Sequence, residues 1–205
     1  MWTSGTVAGT TPVSEAGSGP LTGVYLLRIN VTTPIQVVFG RFAASAPITV
    51  PAGDLLYVGS ACARCGTPAL AHRVLRHLTR TPPRPVHRLY LVLAAHFAAA
   101  GANIAPPPKH LRWHVDYLLD TSEAEVAAVA LWRTDQPLEH DMAAFLLASR
   151  LCAPLAPGLG ASDHRGGTHL LVLHGGDAAW TTLLAQLSSR MRDSLSPDQC
   201  EASRA

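Results

Sequence analysis

The stretch LYVGSA, residues 56–61, indicates how this part of the chain folds. Leu56, Tyr57 and Val58 are typical of a buried strand, and the pair Gly59-Ser60 then predicts a tight turn. A strand end does not need a tyrosine for packing alone. The position of Tyr57 just before the predicted turn therefore raises the question of whether its hydroxyl serves chemistry or its ring only fills the core.

Two further strands are predicted before this stretch. GVYLLRINV (23–31) is rich in strand-forming residues and alternates poorly, which is typical of a central strand covered on both faces. IQVVF (35–39) predicts a second, short strand after the turn at Thr33-Pro34. A loop containing proline, alanine and glycine connects it to LYVGSA.

The segment after LYVGSA predicts a helix. ALAHRVLRHLTR (69–80) has apolar residues at helical spacing, and the prolines of TPPRP (81–85) end it. Arg73 and His77 are four residues apart, so they share one face of this helix about one turn apart. The apolar residues of the helix are expected to face the sheet.

The rest of the chain predicts strands and helices in alternation. A helical insert is expected at about residues 86–108, then a strand at 112–119, a strand or short helix at 125–132, a helix opened by Pro137, a last strand at 168–174 and an amphipathic C-terminal helix. Three parts follow from this reading: a disordered N-terminal tail (1–20), one domain (21–176), and a C-terminal helix and tail (177–205).

Charge is distributed unevenly along the chain, although the net charge is only +2. No Asp or Glu lies between Asp54 and Asp116, and the same interval holds eight of the 16 basic residues. Such asymmetry is typical of a phosphate-binding face. A solvated Arg-rich helix and loop would explain it equally well.

The cysteines give no clear metal motif. Cys62 and Cys65 form a single CxxC pair, and His164 and His169 could complete a tetrahedral site only at a spacing that matches no common pattern. Whether either pair binds a metal stays open. Free thiols and the absence of a signal peptide or an apolar membrane span predict a soluble, cytoplasmic protein.

Five residues have side chains suited to cleaving a phosphodiester. Tyr25 and Tyr57 lie on predicted strands, Arg73 and His77 on one helix, and Glu139 in the first turn of another. Together they supply a base for water, a cation for the developing phosphorane charge and a ligand for a divalent metal. A phenol with a pKa of about 10 is a poor base at neutral pH, so nearby cations would have to lower it.

Several motifs in order resemble those of the GIY-YIG nuclease superfamily. These are GVY (23–25), YVG (57–59) and the L-x-x-R-x-x-x-H pattern of LAHRVLRH (70–77). WHVDYLL, LEHDMA and GLGASDHRGGTHL resemble more narrowly its small stand-alone branch, a domain that also occurs fused to endonuclease III-type glycosylases. The resemblance spans roughly residues 21–174. In the last motif, His164 and Gly166 stand where this branch usually has cysteines.

The resemblance implies an α/β (α+β) fold with a small, mainly antiparallel central sheet flanked by helices. It implies cleavage of nucleic acid, with DNA expected rather than RNA, that depends on Mg²⁺ or Mn²⁺. Tyr57 would activate water, with Tyr25 beside it. Arg73 would neutralise the scissile phosphate, His77 would assist at an attacking or leaving oxygen, and Glu139 would hold the metal. The residues expected to contact the substrate are Gly59, Ser60, Arg76, Arg80 and His114.

Each of these residues also has a structural interpretation. The tyrosines could simply pack in strands, and Glu139 could favour the helix dipole. His114 and Asp116 would share one face of the predicted strand, where a hydrogen-bonded structural pair is favoured over catalysis. For Ser162, Asp163 and His169, loop stabilisation and a contact with substrate or metal are equally plausible. A non-catalytic nucleic-acid-binding module of the same fold is therefore the alternative to an enzyme.

Overall fold

The strands of the protein form one large and one small sheet. The computed structural model describes residues 12–61, 68–105, 108–160 and 167–194. Its strands are β1 (Val13–Ala16), β2 (Gly23–Val31), β3 (Ile35–Val37), β4 (Ile48–Val50), β5 (Gly53–Ala61), β6 (Ala124–Arg133), β7 (Cys152–Pro154) and β8 (Leu170–Leu173).

The large sheet has six strands in the order β1-β6-β2-β5-β8-β7, and β3 and β4 form a separate pair. Among the described strands of the large sheet, β1 and β6 pair in parallel and the other pairings are antiparallel. Strands β2 and β5 lie at the centre, and the side chains of both are almost completely buried. The predicted mixed fold with a mainly antiparallel central sheet is confirmed.

Helices cover both faces of the sheet, which explains why the central strands lack clear alternation. The helices of the described residues are α1 (Ala69–His77), α2 (Tyr90–Ala99), α3 (His114–Leu119), α4 (Glu139–Ala148) and α5 (Gly176–Ser194), with a short 3₁₀ segment at Phe42–Ser45. Helices α1, α2 and α3 pack with Tyr25 and Tyr57 on one face. Helices α4 and α5 pack with Leu26 and Val58 on the other.

A strand is predicted at residues 112–119, but residues 114–119 form helix α3 instead. Their alternation of polar and apolar residues suggested a strand, and six helical residues are too few for a 3.6-residue period to show. The Asp116 carboxylate accepts hydrogen bonds from the backbone N–H groups of Arg112 and Trp113, at 3.1 and 2.9 Å. These bonds satisfy N–H groups at the helix start that have no partner within the helix. His114 and Asp116 therefore do not share a strand face.

Other boundaries also differ from prediction. The predicted disordered tail, residues 1–20, contains strand β1, whose Glu15 contacts Arg133 and His96, while residues 1–11 lie outside the described part. Strand β5 continues through Gly59-Ser60 to Ala61 rather than turning there. Residues 125–132 are strand, the insert holds helix α2 as expected, and helix α5 belongs to the core because Trp180 and Leu183 are fully buried.

Within the residues that the structure describes, no helix is both long and apolar enough to cross a bilayer.

Candidate active site

The two predicted tyrosines lie side by side where β2 begins and β5 ends. Tyr25 is the cross-strand neighbour of Gly59, and a Cβ atom at that glycine would lie only 2.3 Å from the Tyr25 ring. The glycine therefore lets the Tyr25 ring lie across β5. Tyr57 precedes Gly59 by two residues on the same strand face, with its ring centroid 6.2 Å from that of Tyr25. Packing alone thus explains why a glycine follows Tyr57 at this spacing.

His77, from the last turn of α1, joins the two tyrosines. Its Nε2 atom lies 2.8 Å from the Tyr25 hydroxyl oxygen, and its ring centroid is 5.7 Å from that of Tyr57. The imidazole is completely buried. The predicted face of the helix that carries His77 is therefore turned toward the end of the central strands.

Asp116 holds the other side of the His77 ring. Its Oδ1 atom lies 2.8 Å from His77 Nδ1 and 3.2 Å from Lys109 Nζ. Because a carboxylate only accepts hydrogen bonds, Nδ1 carries the imidazole proton, and Nε2 is left to accept from the Tyr25 hydroxyl. Asp116, His77 and Tyr25 thus form a buried hydrogen-bonded network. The predicted strand favoured Asp116 as a structural partner of His114 over a catalytic role, because the helix was not foreseen.

Burial and neighbouring charges set the protonation states of this network. Burial lowers the pKa of His77 to about 4, although the hydrogen bond with Asp116 opposes this, so the imidazole is neutral at pH 7. Burial alone would raise the pKa of Asp116, but the bond with His77 and the charges of Lys109 and Arg76 hold it well below its usual range. The aspartate is therefore ionised beside a neutral histidine.

Both tyrosines are protonated at neutral pH. Burial raises the pKa of Tyr57, and the charges of Glu139 and Asp116 raise it further, whereas Arg73 lowers it. Tyr25 is also shifted upward, first by burial and then by Tyr57. Arg73 acts in the direction that the sequence predicted, but burial and the two carboxylates outweigh it.

Glu139 approaches the same strand end from α4, on the other side of β5. One carboxylate oxygen accepts a hydrogen bond from the Ser60 hydroxyl, and Oε1 lies 3.0 Å from His169 Nδ1. Burial would raise the pKa of Glu139, but the contacts with His169 and Ser60 and the charge of Arg73 lower it overall. The carboxylate is thus ionised, and its charge is the largest charge effect on the pKa of Tyr57.

The oxygen atoms of the Glu139 carboxylate and the Ser60 hydroxyl are of the kind that bind a divalent metal such as magnesium. The Glu139 side chain is 29% exposed, and a carboxylate and a hydroxyl are hard oxygen donors. Mg²⁺ commonly binds through one or two carboxylates together with water and substrate phosphates, so it does not need a closed protein cage. Among the described residues, no group of three or more His, Cys, Asp or Glu side chains could hold a metal ion. Glu139 therefore fits an open metal site in which one protein carboxylate is a ligand.

Three arginines surround Trp113 next to this network. The guanidinium carbons of Arg76, Arg73 and Arg112 lie 3.7, 4.5 and 4.7 Å from the centroid of its ring. The Trp113 ring also meets the edge of His77, with the centroids 5.9 Å apart. This Trp113 cation cluster brings Arg73 close to the buried network, as its predicted role requires.

Two residues predicted to contact substrate are placed unfavourably for that role. Arg80 is buried and donates to the backbone carbonyl oxygens of Leu119 and Ala124, so its guanidinium is used within the fold. His114 is half-buried and its Nδ1 accepts a hydrogen bond from the Gly160 backbone N–H at 3.1 Å. Both positions indicate structural roles.

The Arg-rich segment is only partly available as a phosphate-binding face. Lys109 is buried against Asp116, and Arg84 pairs with Asp120. The Trp113 cation cluster remains the main candidate within the described part of the segment. Cys62, Cys65, Arg64, Ser162, Asp163 and His164 lie outside the described residues.

The fold and the site together define a mixed α+β protein whose central strand ends carry a Tyr–His–Asp network between a carboxylate and clustered arginines. Residues 24–192 match the model of a family described as domain of unknown function DUF123, and the chain belongs to that family. The match includes both tyrosines, α1 and α4. Neither the comparison with curated proteins nor that with solved structures gives a match.

Proposed function

We propose that this protein is a divalent-metal-dependent endonuclease that hydrolyses phosphodiester bonds of DNA. The observation that supports it is the mutual proximity of groups predicted from separate motifs. Tyr25, Tyr57 and His77 have ring centroids within 6.2 Å of one another. The charges of Arg73 and Glu139 both act on the pKa values of the two tyrosines.

The proposed roles divide between charge stabilisation and proton transfer. Arg73, half-buried beside Trp113, binds the scissile phosphate and offsets the negative charge that develops on its oxygens. Tyr57 first releases its phenolic proton to solvent and then, as a phenolate, accepts a proton from the attacking water. Since burial raises the pKa of Tyr57, this role depends on positive charge brought by Arg73 and by the bound ion.

Glu139 would hold the metal, with Ser60 orienting its carboxylate. A bound Mg²⁺ or Mn²⁺ supplies positive charge that polarises the phosphoryl oxygens. His77 and Asp116 keep Tyr25 in a fixed orientation next to Tyr57, because the Tyr25 hydroxyl donates to His77. The neutral His77 adds no positive charge. Arg73 is therefore the cation that lowers the pKa values of the two tyrosines most.

The test is cleavage by purified full-length protein of supercoiled plasmid, linear duplex, branched and single-stranded DNA, and RNA. We expect cleavage of DNA with Mg²⁺ or Mn²⁺ and none with EDTA. Glu139→Gln should abolish it, whereas Asp141→Asn, an exposed acid in the same first turn of α4, should retain it. No cleavage of any substrate in either metal, or full activity in Glu139→Gln, would contradict the proposal.

A non-catalytic nucleic-acid-binding module is the second candidate. The burial of both phenols favours it, because Tyr25 is 0% and Tyr57 2% exposed and both pKa values are raised. In that case binding would weaken steeply with salt and survive Glu139→Ala, with no cleavage in any metal. Metal-dependent cleavage that Glu139→Gln abolishes would exclude it.

A further inference from the structure

The Trp113 cation cluster concentrates like charge on one aromatic ring. A guanidinium over a tryptophan face is attracted by the ring, but three guanidinium groups on one ring also repel each other. Burial lowers the pKa of Arg76, and the charge of Arg73 lowers it further. Asp116 opposes this shift, and further negative charge nearby would stabilise the three guanidinium groups.

The described residues supply little of that negative charge. Among them, one carboxylate is in ion-pair contact with these arginines and the adjacent Lys109, and it belongs to Asp116. Arg76 lies 3.3 Å and Lys109 3.2 Å from this carboxylate. The third partner of that carboxylate, His77, is neutral. Four cations thus share one ion-paired carboxylate within the described part of the chain. Arg73 and Arg112 make no ion pair there, and Glu139 interacts with Arg73 only through longer-range charge.

The part of the Trp113 cation cluster that makes no ion pair is accessible to a ligand. Arg112 is exposed, and Arg73 and Trp113 are half-buried, whereas Arg76 and Lys109 face inward toward Asp116. A planar guanidinium binds phosphate through two parallel hydrogen bonds, which suits it to the backbone of a nucleic acid. The accessible side of the cluster lies next to the tyrosines, since Trp113 contacts His77.

We propose that Arg112 forms, on Trp113, a second phosphate subsite that binds a backbone phosphate of the nucleic acid adjacent to the one held by Arg73. Trp113 is a positioning residue, because its ring fixes the guanidinium groups of Arg73 and Arg112 on the same support. The nucleic-acid ligand rests on the proposed function, whereas the subsite itself rests on the charge and geometry of the cluster.

Equilibrium binding without metal tests the subsite separately from cleavage. Fluorescence anisotropy of full-length protein with a labelled DNA duplex in EDTA, over a series of salt concentrations, gives both the affinity and its salt dependence. We expect Arg112→Gln to weaken binding about fivefold or more and to reduce the slope of log K against log salt by roughly 1. Arg88→Gln, an exposed arginine outside the cluster, should change neither value.

Variants of Trp113 test the positioning role. Trp113→Leu should weaken binding while Trp113→Phe, which keeps an aromatic face, should restore most of the affinity. Circular dichroism and thermal melting identify any variant that has lost its fold. Arg112 is exposed, so Arg112→Gln should keep its fold even if a Trp113 variant does not.

Unchanged affinity and salt slope in Arg112→Gln would overturn the subsite, even if the wild type cleaves DNA. Loss of affinity in a protein that cleaves nothing would support the subsite and contradict the nuclease.

Discussion

At the scale of single residues, Gly59 shows how an absent side chain fixes the site. A Cβ atom there would lie 2.3 Å from Tyr25 Cζ and 2.4 Å from its hydroxyl oxygen, far inside van der Waals contact. The Tyr25 ring cannot move away freely, because its hydroxyl is bonded to His77 within the core. The same glycine that suggested a turn in the sequence is in fact the cross-strand partner of a tyrosine.

Gly59→Ala should therefore destabilise the protein by about 2–3 kcal/mol, as expected for overpacking of a tightly filled site. Denaturant unfolding followed by circular dichroism measures this change. Tyr25→Ala combined with Gly59→Ala provides the control, because removing the ring removes the clash and the two effects should not add. Full additivity, or a Gly59→Ala variant as stable as the wild type, would contradict the predicted clash.

The buried neutral histidine makes stability depend on pH. The pKa of His77 is about 4 in the folded protein and about 6.5 when unfolded, so the unfolded chain binds the proton first. Stability is then fully present above pH 6.5 and is lost as the pH falls from 6.5 toward 4. We expect this residue to contribute a loss of about 2 kcal/mol between pH 7 and pH 5.

Urea unfolding at pH 7, 6 and 5 measures this loss. Burial also lowers the pKa of His87 to about 4, so a second histidine acts in the same direction. A free energy of unfolding that stays constant from pH 7 to pH 5 would show that neither histidine is held neutral in the fold.

Residues of the site were predictable from sequence to different degrees. Tyr25, Tyr57, Arg73, His77 and Glu139 were all identified from motifs, and the structure brings their side chains or charges into one region. Asp116 was placed with the wrong partner, because its contact with His77 joins positions 39 residues apart through a helix that was not foreseen. Trp113 belongs to the motif WHVDYLL and Arg112 to the basic segment without acids, but neither pattern indicated a role in the site.

At the scale of elements, the short strand β1 shows where sequence patterns give least information. Its four residues, VSEA, include a serine and a glutamate, and no hydrophobic run marks them as a strand. They are held at the sheet edge by parallel pairing with β6 and by Glu15, which contacts Arg133 and His96. Such long-range contacts cannot be predicted from local composition.

Glu15→Gln should loosen this edge strand and lower stability by about 1 kcal/mol at pH 7, since its ion pair with Arg133 and its contact with His96 are partly buried. The contacts lower the pKa of Glu15 although burial opposes this, so its contribution is present above pH 4.5 and is lost as the pH falls below that value. Thermal unfolding compares the Glu15→Gln variant with Glu123→Gln. Within the described residues, the Glu123 side chain has a hydrogen bond to neighbouring Ser122 alone. Equal stability of the two variants would contradict the predicted role of Glu15.

At the scale of the whole molecule, both faces of the sheet contribute to one site. The tyrosines, His77 and the Trp113 cation cluster lie on the face covered by α1, α2 and α3, whereas Glu139 comes from α4 on the other face. They meet because Tyr57 and Ser60 stand three residues apart at the same end of β5. Side chains alternate between the two faces along β5, with Tyr57 on one face and Ser60 on the other, and this alternation allows the meeting. No local sequence pattern specifies it.

The most direct test of the central claim is the single-turnover rate of DNA cleavage by Tyr57→Phe, with saturating protein and Mn²⁺. Loss of the proton-accepting hydroxyl should lower the rate at least about 100-fold while leaving DNA affinity unchanged. Tyr117→Phe removes a half-buried hydroxyl whose one hydrogen bond within the described part of the chain goes to the Leu111 carbonyl, and this variant should cleave at the wild-type rate. Wild-type protein that does not cleave, or a Tyr57→Phe variant that cleaves as fast as the wild type, would contradict the account.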